Sequence, residues 1–99
     1  MIKNVKLEKE QVVFQVEGNI VSDMEGEKVM LSIHNGKYYN LGDIGGDIWD
    51  LLTEPISIES VIAKLQLQYE VGLKECEEHV VTFLHQLHSE GLIRLDNES

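Results

Sequence analysis

Ninety-nine residues are enough for one domain with a single modest core and too few for a cleft between two domains. Eight basic against eighteen acidic residues give a formal net charge of −10, which repels nucleic acid and anionic membranes at long range. The 42% hydrophobic share fits a soluble globular chain. No apolar run approaches the ~20 residues needed to span a bilayer. The N-terminal MIKNVKLEKE has lysines but no apolar core and no small-residue cleavage site, so no secretory signal is expected there. One cysteine, Cys76, excludes an internal disulfide and fits a reducing cytoplasm.

Residues 1–10 alternate weakly at Ile2, Val5 and Leu7 and carry Lys3, Lys6 and Lys9. They are expected to form a flexible, solubilising segment ahead of one domain over 11–99. Gln11 to Val16 (QVVFQV) is rich in β-branched and aromatic residues and predicts a strand. Gly18-Asn19 breaks it, Ile20 to Met24 is where it would resume, and Glu25-Gly26 turns the chain. Val29, Leu31 and Ile33 then alternate with Met30 and Ser32, which predicts a half-buried strand.

Asn35-Gly36 is the strongest hairpin signal in the chain. A two-residue loop would pair Ile33 with Tyr38 and bury that tyrosine. A three-residue loop with Gly36 as a left-handed bulge would pair Leu31 with Tyr39 and Val29 with Leu41. The second is preferred, because it gathers Val29, Leu31, Tyr39 and Leu41 on one apolar face and turns Tyr38 and Asn40 outward.

Three helices are predicted next. Asp43 is placed to cap the first, whose stripe is Ile44, Ile48, Leu51 and Leu52, with Trp49 at its border. Gly45-Gly46 weakens its first turn by about 1 kcal/mol per glycine, which close backbone approach to the sheet would offset. Pro55 ends that region. Ser57 caps the second helix, with Ile58, Val61, Ile62, Leu65 and Tyr69 inward and Ile56 stapled to Val61. The third runs from Leu73 to Glu90 with Leu73, Cys76, Val80, Phe83, Leu84 and Leu87 inward. Gly91 follows it and lets Leu92 fold back on Leu87 before a short last strand. The fold class is therefore α+β: an N-terminal three-stranded antiparallel sheet followed by three helices, the last two arranged as a winged helix-turn-helix.

The chain offers little chemistry of its own. His79, His85 and His88 lie on the third helix, but a zinc site wants three or four convergent ligands, so no metal site is expected. Cys76 stands among Glu75, Glu77 and Glu78, which oppose a reactive thiolate, and a buried core cysteine is the plainer reading. The glycines at 42, 45 and 46 match neither phosphate-binding nor dinucleotide-binding spacing. No catalytic residue and no cofactor are expected. A winged helix raises DNA binding as an alternative, yet Lys74, Glu75, Glu77 and Glu78 would open the recognition helix and meet phosphates mostly with like charge.

Gly36-Lys37-Tyr38-Tyr39 with Leu41, Ile48-Trp49 with Leu51-Leu52, and Glu90-Gly91-Leu92-Ile93 recur in the order and spacing of the PqqD family, which the chain resembles from about Val12 to Leu95. It is most similar to the stand-alone PqqD-like proteins of lasso-peptide biosynthesis; Gly42 departs from the asparagine many relatives carry there. The resemblance implies a recognition element for ribosomally synthesised and post-translationally modified peptides (RiPPs): a cytoplasmic, non-catalytic module that binds the leader of a precursor peptide. It would present that leader to a cysteine-type, transglutaminase-like leader peptidase, with an asparagine-synthetase-like cyclase following. A radical SAM maturase, as in pyrroloquinoline quinone assembly, is the alternative partner; nucleic acid and membrane are not expected. In the family the leader adds as a strand to the third strand of the sheet, against the third helix. Here that maps to Lys37, Tyr38, Tyr39, Asn40 and Leu41, whose open edge would template a peptide. The wall residues chosen are Glu77, Val80, Val81, Leu84 and His88, because apolar Val81 widens the helix stripe; core filling is the competing reading for Val80, Val81 and Leu84.

Overall fold

The computed structural model describes residues 7–96. Nine elements follow one another: β1 (Val12–Gln15), β2 (Asn19–Met24), β3 (Glu27–Ser32), β4 (Lys37–Leu41), α1 (Gly42–Leu51), β5 (Ile56–Ser57), α2 (Ile58–Gln68), α3 (Leu73–Ser89) and β6 (Ile93–Leu95). The α+β class and the three helices are as expected. The strands differ: they form two three-stranded antiparallel sheets, β2-β3-β4 and β5-β1-β6.

The expected strand at 11–16 forms over Val12–Gln15, but it is not the first of a continuous meander. Gly18, at φ +97°, turns the chain away. Strand β1 instead becomes the centre of the second sheet, pairing Val13 with Ile56 on one side and with Leu95 on the other. Alternation marks a strand but carries no record of its partners, and β6 lies some eighty residues downstream. Ile93 and Leu95 are buried with Arg94 exposed between them, so the last strand closes the core beneath β1.

The hairpin register differs by one residue from expectation. Met30, not Leu31, pairs with Tyr39, and Leu31 pairs with Tyr38. The connection is four residues long, Ile33 to Gly36. Ser32 explains it: its carbonyl accepts from the Gly36 amide at 2.8 Å and its Oγ from the Asn35 amide at 3.2 Å. Satisfying this buried serine turns Met30 and Ser32 inward and leaves Ile33 63% exposed. A one-residue slip reverses every side chain of the strand, so Val29 and Leu31 lie on the outer face, half-buried. On β4 the expected facing holds, with Tyr39 and Leu41 inward and Tyr38 and Asn40 outward.

Helix α1 starts one turn-residue earlier than predicted. Leu41 is its N-cap, Gly42 follows at φ +71°, and Asp43 sits inside the first turn rather than capping it. The side chain of Asn40 accepts from the Gly42 amide at 2.9 Å. Ser57 caps α2 as expected, accepting from the Ser60 amide at 3.1 Å. Helix α3 ends in a Schellman turn: the Gly91 amide donates to His88 O, the Leu92 amide to Leu87 O, and Gly91 is left-handed at φ +75°.

One core joins the layers, from Val13 and Met30 through Ile48, Trp49 and Leu52 to Val61, Val80, Leu84, Leu92 and Ile93. Trp49 is fully inside it rather than at its border, whereas Leu73, expected inward, is exposed. Residues 1–6 of the expected flexible segment lie outside the described residues. Residues 7–9 are tied down: Leu7 is buried, Lys9 O accepts from the Glu59 amide, and Lys9 Nζ stands 2.6 Å from Glu77 Oε1.

Candidate functional site

Strand β4 is a margin of its sheet. It bonds β3 on one side, and no described strand or loop bonds its other side. A strand edge with free amides and carbonyls is a template for another backbone. Strand β2 is the opposite margin of the same sheet, but five of its six residues are exposed. At β4, α3 is tied in at both ends.

The tie at the hairpin end is polar. The Tyr39 hydroxyl donates to Glu90 Oε1 at 2.7 Å, and Asn35 Nδ2 donates to both the Tyr39 hydroxyl (3.1 Å) and the Glu90 carbonyl (2.9 Å). Lys37 Nζ reaches the same carboxylate at 3.8 Å. The tie at the far end is apolar. A Cβ on Gly45 would stand 2.9 Å from the Phe83 ring and 3.5 Å from Leu41 Cβ, so α1 and α3 meet there through a missing side chain. The close approach expected of Gly45-Gly46 is present, with Gly46 facing the aliphatic stem of Lys28 on β3. Lys28 in turn bonds Asp50 at 2.6 Å, which raises its pKa and ties β3 to α1.

These contacts define the α3 face nearest β4. It contains His79, Phe83, Gln86 and Glu90. An open trough of about 380 Å³ runs over the same side of the helix, lined by residues including Glu78, Thr82, Phe83 and Gln86.

The residues selected from sequence fall into two groups. Lys37 to Leu41 form β4, with Tyr38 74% exposed on the outer face and Tyr39 and Leu41 forming the floor. On α3, Val80 and Leu84 are fully buried and offer no surface. Glu77, Val81 and His88 lie roughly 120–160° around the helix from Phe83, given 3.6 residues per turn. Glu77 is bonded to Lys9, and Val81 packs against the core. His88 lines a cleft of about 490 Å³ between the two sheets, with His34, Asn35 and Arg94. Val80 and Leu84 share the core with Leu41 and Tyr39 of β4, whereas Glu77, Val81 and His88 lie on the other flank of α3, and Phe83 and Glu90 carry the contacts at the two ends of the strand. Phe83 reads as plain core in the sequence, while Glu90 stands in the EGLI motif without any apolar signal to mark it.

His79 and His85 are exposed, and among the described residues no three His, Cys, Asp or Glu gather as a metal set. Cys76 is buried, its thiol 3.8 Å from the Ile62 carbonyl, and burial followed by the Glu77 charge pushes its pKa up. No described helix is long and apolar enough to cross a membrane.

A small α+β domain with an open strand margin beside a helix is the class this geometry defines. Residues 27–93, from β3 into β6, match the family model of PqqD, coenzyme PQQ synthesis protein D, and the chain belongs to that family. No curated protein sequence matches the chain. Its fold is similar to that of TbiB1, solved in complex with the TbiA(beta) leader peptide, with a TM-score of 0.73 and 24% identity over 87% of this chain and 98% of that one.

Proposed function

We propose that this protein is a non-catalytic RiPP recognition element that binds the leader of a precursor peptide by strand addition to β4. The observation that carries the reading is the unpaired margin of β4 held beside α3. Strand addition takes affinity from main-chain hydrogen bonds and selectivity from side-chain pockets. The margin supplies the first, and the flanking helix supplies the second. Membership of the PqqD family and likeness to a leader-bound protein support the same reading.

In this reading Lys37 to Leu41 receive the guest backbone. Tyr38 adds a large, stiff contact at little entropic cost. Tyr39 and Leu41 make the floor, and Phe83 with Gln86 makes the wall. The sequence-derived wall of Glu77, Val80, Val81, Leu84 and His88 is the competing assignment. With Glu77 engaged by Lys9, any preference for a basic leader residue falls to the exposed Glu75 and Glu78. We read α2 and α3 with the strands as a winged helix-turn-helix put to peptide binding rather than DNA binding.

The leader would then be delivered to a cysteine-type, transglutaminase-like leader peptidase of a lasso-peptide pathway, with an asparagine-synthetase-like cyclase acting afterwards. A carrier that holds the leader and docks on the enzyme turns a bimolecular encounter into a local one. The test is titration of fluorescein-labelled leader peptides of lasso-peptide precursors, the TbiA(beta) leader among them, in natural and backbone N-methylated forms. Saturable binding of the first and loss of binding by the second are expected. Equal binding of both forms would reject strand addition.

A further inference from the structure

We infer that Glu90 is a positioning residue which, through the Tyr39 hydroxyl, holds the open margin of β4 at a set distance from α3, so that the groove is formed before a peptide arrives. The β3–β4 hairpin needs such a tie. Its sheet is backed by α1 through Lys28, Gly46 and Asp50, which reach β3, whereas the hairpin tip at Ile33, His34 and Gly36 is exposed. At the far end of β4, Leu41 and the Phe83 ring both border Gly45. At the near end three polar contacts to α3 converge on Glu90: Tyr39 and Lys37 reach its carboxylate, and Asn35 its carbonyl.

The anchor itself is rigid. Glu90 is the C-cap of α3, its amide donates to Gln86 O at 3.1 Å, and the Schellman turn beyond it is locked by buried Leu92. Helix stability does not account for a carboxylate there, because the C-terminal end of a helix dipole disfavours negative charge. The reach of the side chain does account for it, since its terminal oxygen arrives 2.7 Å from the Tyr39 hydroxyl. The Tyr39 ring transmits the tie: it faces inward on β4, opposite Met30, so its hydroxyl sets where the strand stands relative to the helix end.

The consequence for peptide capture rests on the leader-binding reading, but the tie can be measured without any peptide. The experiment is amide hydrogen exchange over residues 35–39 of the free full-length protein, for wild type, Glu90→Ala, Glu90→Gln and Tyr39→Phe. Stopped-flow association of the fluorescein-labelled leader follows for each. Glu90→Gln keeps an oxygen acceptor for the Tyr39 hydroxyl and removes the charge; Tyr39→Phe keeps the ring and removes only the bond.

Exchange at the hairpin is expected to rise about tenfold in Glu90→Ala and Tyr39→Phe, the scale of one lost hydrogen bond. Leader association should slow with it, and Glu90→Gln should recover most of both. Wild-type exchange in Glu90→Ala and Tyr39→Phe would overturn the inference. So would a Gln variant as impaired as Ala, since charge rather than position would then be the operative property. Exchange that responds as expected in a protein that captures no leader would leave the tie standing and remove the leader-binding reading instead.

Discussion

Phe83 of α3 lies against Gly45 of α1, its ring 2.9 Å from where a Cβ would stand. This contact sets how closely α3 approaches the end of β4, so it links helix packing to the width of the groove. Alanine at Gly45 would gain about 1 kcal/mol of helix propensity. Overpacking against the ring and Leu41 costs roughly 1–3 kcal/mol. Urea unfolding of Gly45→Ala should therefore show a net loss, on the order of 1 kcal/mol. Phe83→Leu in that background should restore part of it. A stabilised Gly45→Ala would show that the ring gives way freely and does not fix the helix spacing.

Tyr38 and Tyr39 are adjacent yet should fail differently. Tyr38 is 74% exposed, so Tyr38→Ala should change stability by no more than about 0.5 kcal/mol while weakening leader binding. Tyr39 is half-buried and bonded to Glu90 and Asn35, so Tyr39→Ala should lose stability, roughly 2 kcal/mol, as well as binding. Calorimetry paired with leader titration separates the two. Equal stability losses would contradict the facing of β4.

Most of the helical layer was legible from sequence, because each signal was local. Ser57 as a cap, Gly91 as a left-handed stop and the stripe of Cys76, Val80, Leu84 and Leu87 all follow from residues within a few positions of one another. The pairing of β1 with β6 was not legible, since alternation identifies a strand without its neighbour. The hairpin register turned on one serine: the apolar run Val29, Leu31, Ile33 pointed one way, and the hydrogen bonds of Ser32 to Asn35 and Gly36 decided the other. On α3 the apolar width at Val81 drew attention to one flank. The flank beside β4 is instead set by a glycine on α1 and a carboxylate at the helix end, neither of which adds hydrophobic signal.

The two flanks of α3 give opposite expectations. If Phe83 and Gln86 wall the groove, Gln86→Glu should weaken leader binding at unchanged stability, because an extra charge enters the contact. Val81→Glu would mainly destabilise, since Val81 packs on the core. A leader titration in which properly folded Val81→Glu loses binding and Gln86→Glu does not would move the wall to the flank of Glu77, Val81 and His88.

Cys76 should be chemically quiet and pH-sensitive only at high pH. Burial, reinforced by the Glu77 charge, raises its pKa in the folded chain. The unfolded thiol therefore ionises first. Stability contributed by the neutral buried thiol is complete below the unfolded pKa of about 8.5 and is lost as pH rises through the higher folded value. Unfolding measured from pH 7 to 10 should show this extra decline in wild type and not in Cys76→Ala. The variant should still bind leader. Lost binding in a folded Cys76→Ala would argue for a role of the thiol in the site.

The most direct test is NMR of isotope-labelled protein with unlabelled leader peptide, reading amide protection and cross-strand contacts along every sheet margin. The account predicts new protection and peptide contacts at Lys37 to Leu41, with changes at Phe83 and Gln86, while β2 and β5 stay as in the free protein. Leader contacts confined to another margin, or a bound peptide that leaves the amides of residues 37–41 unprotected, would contradict it.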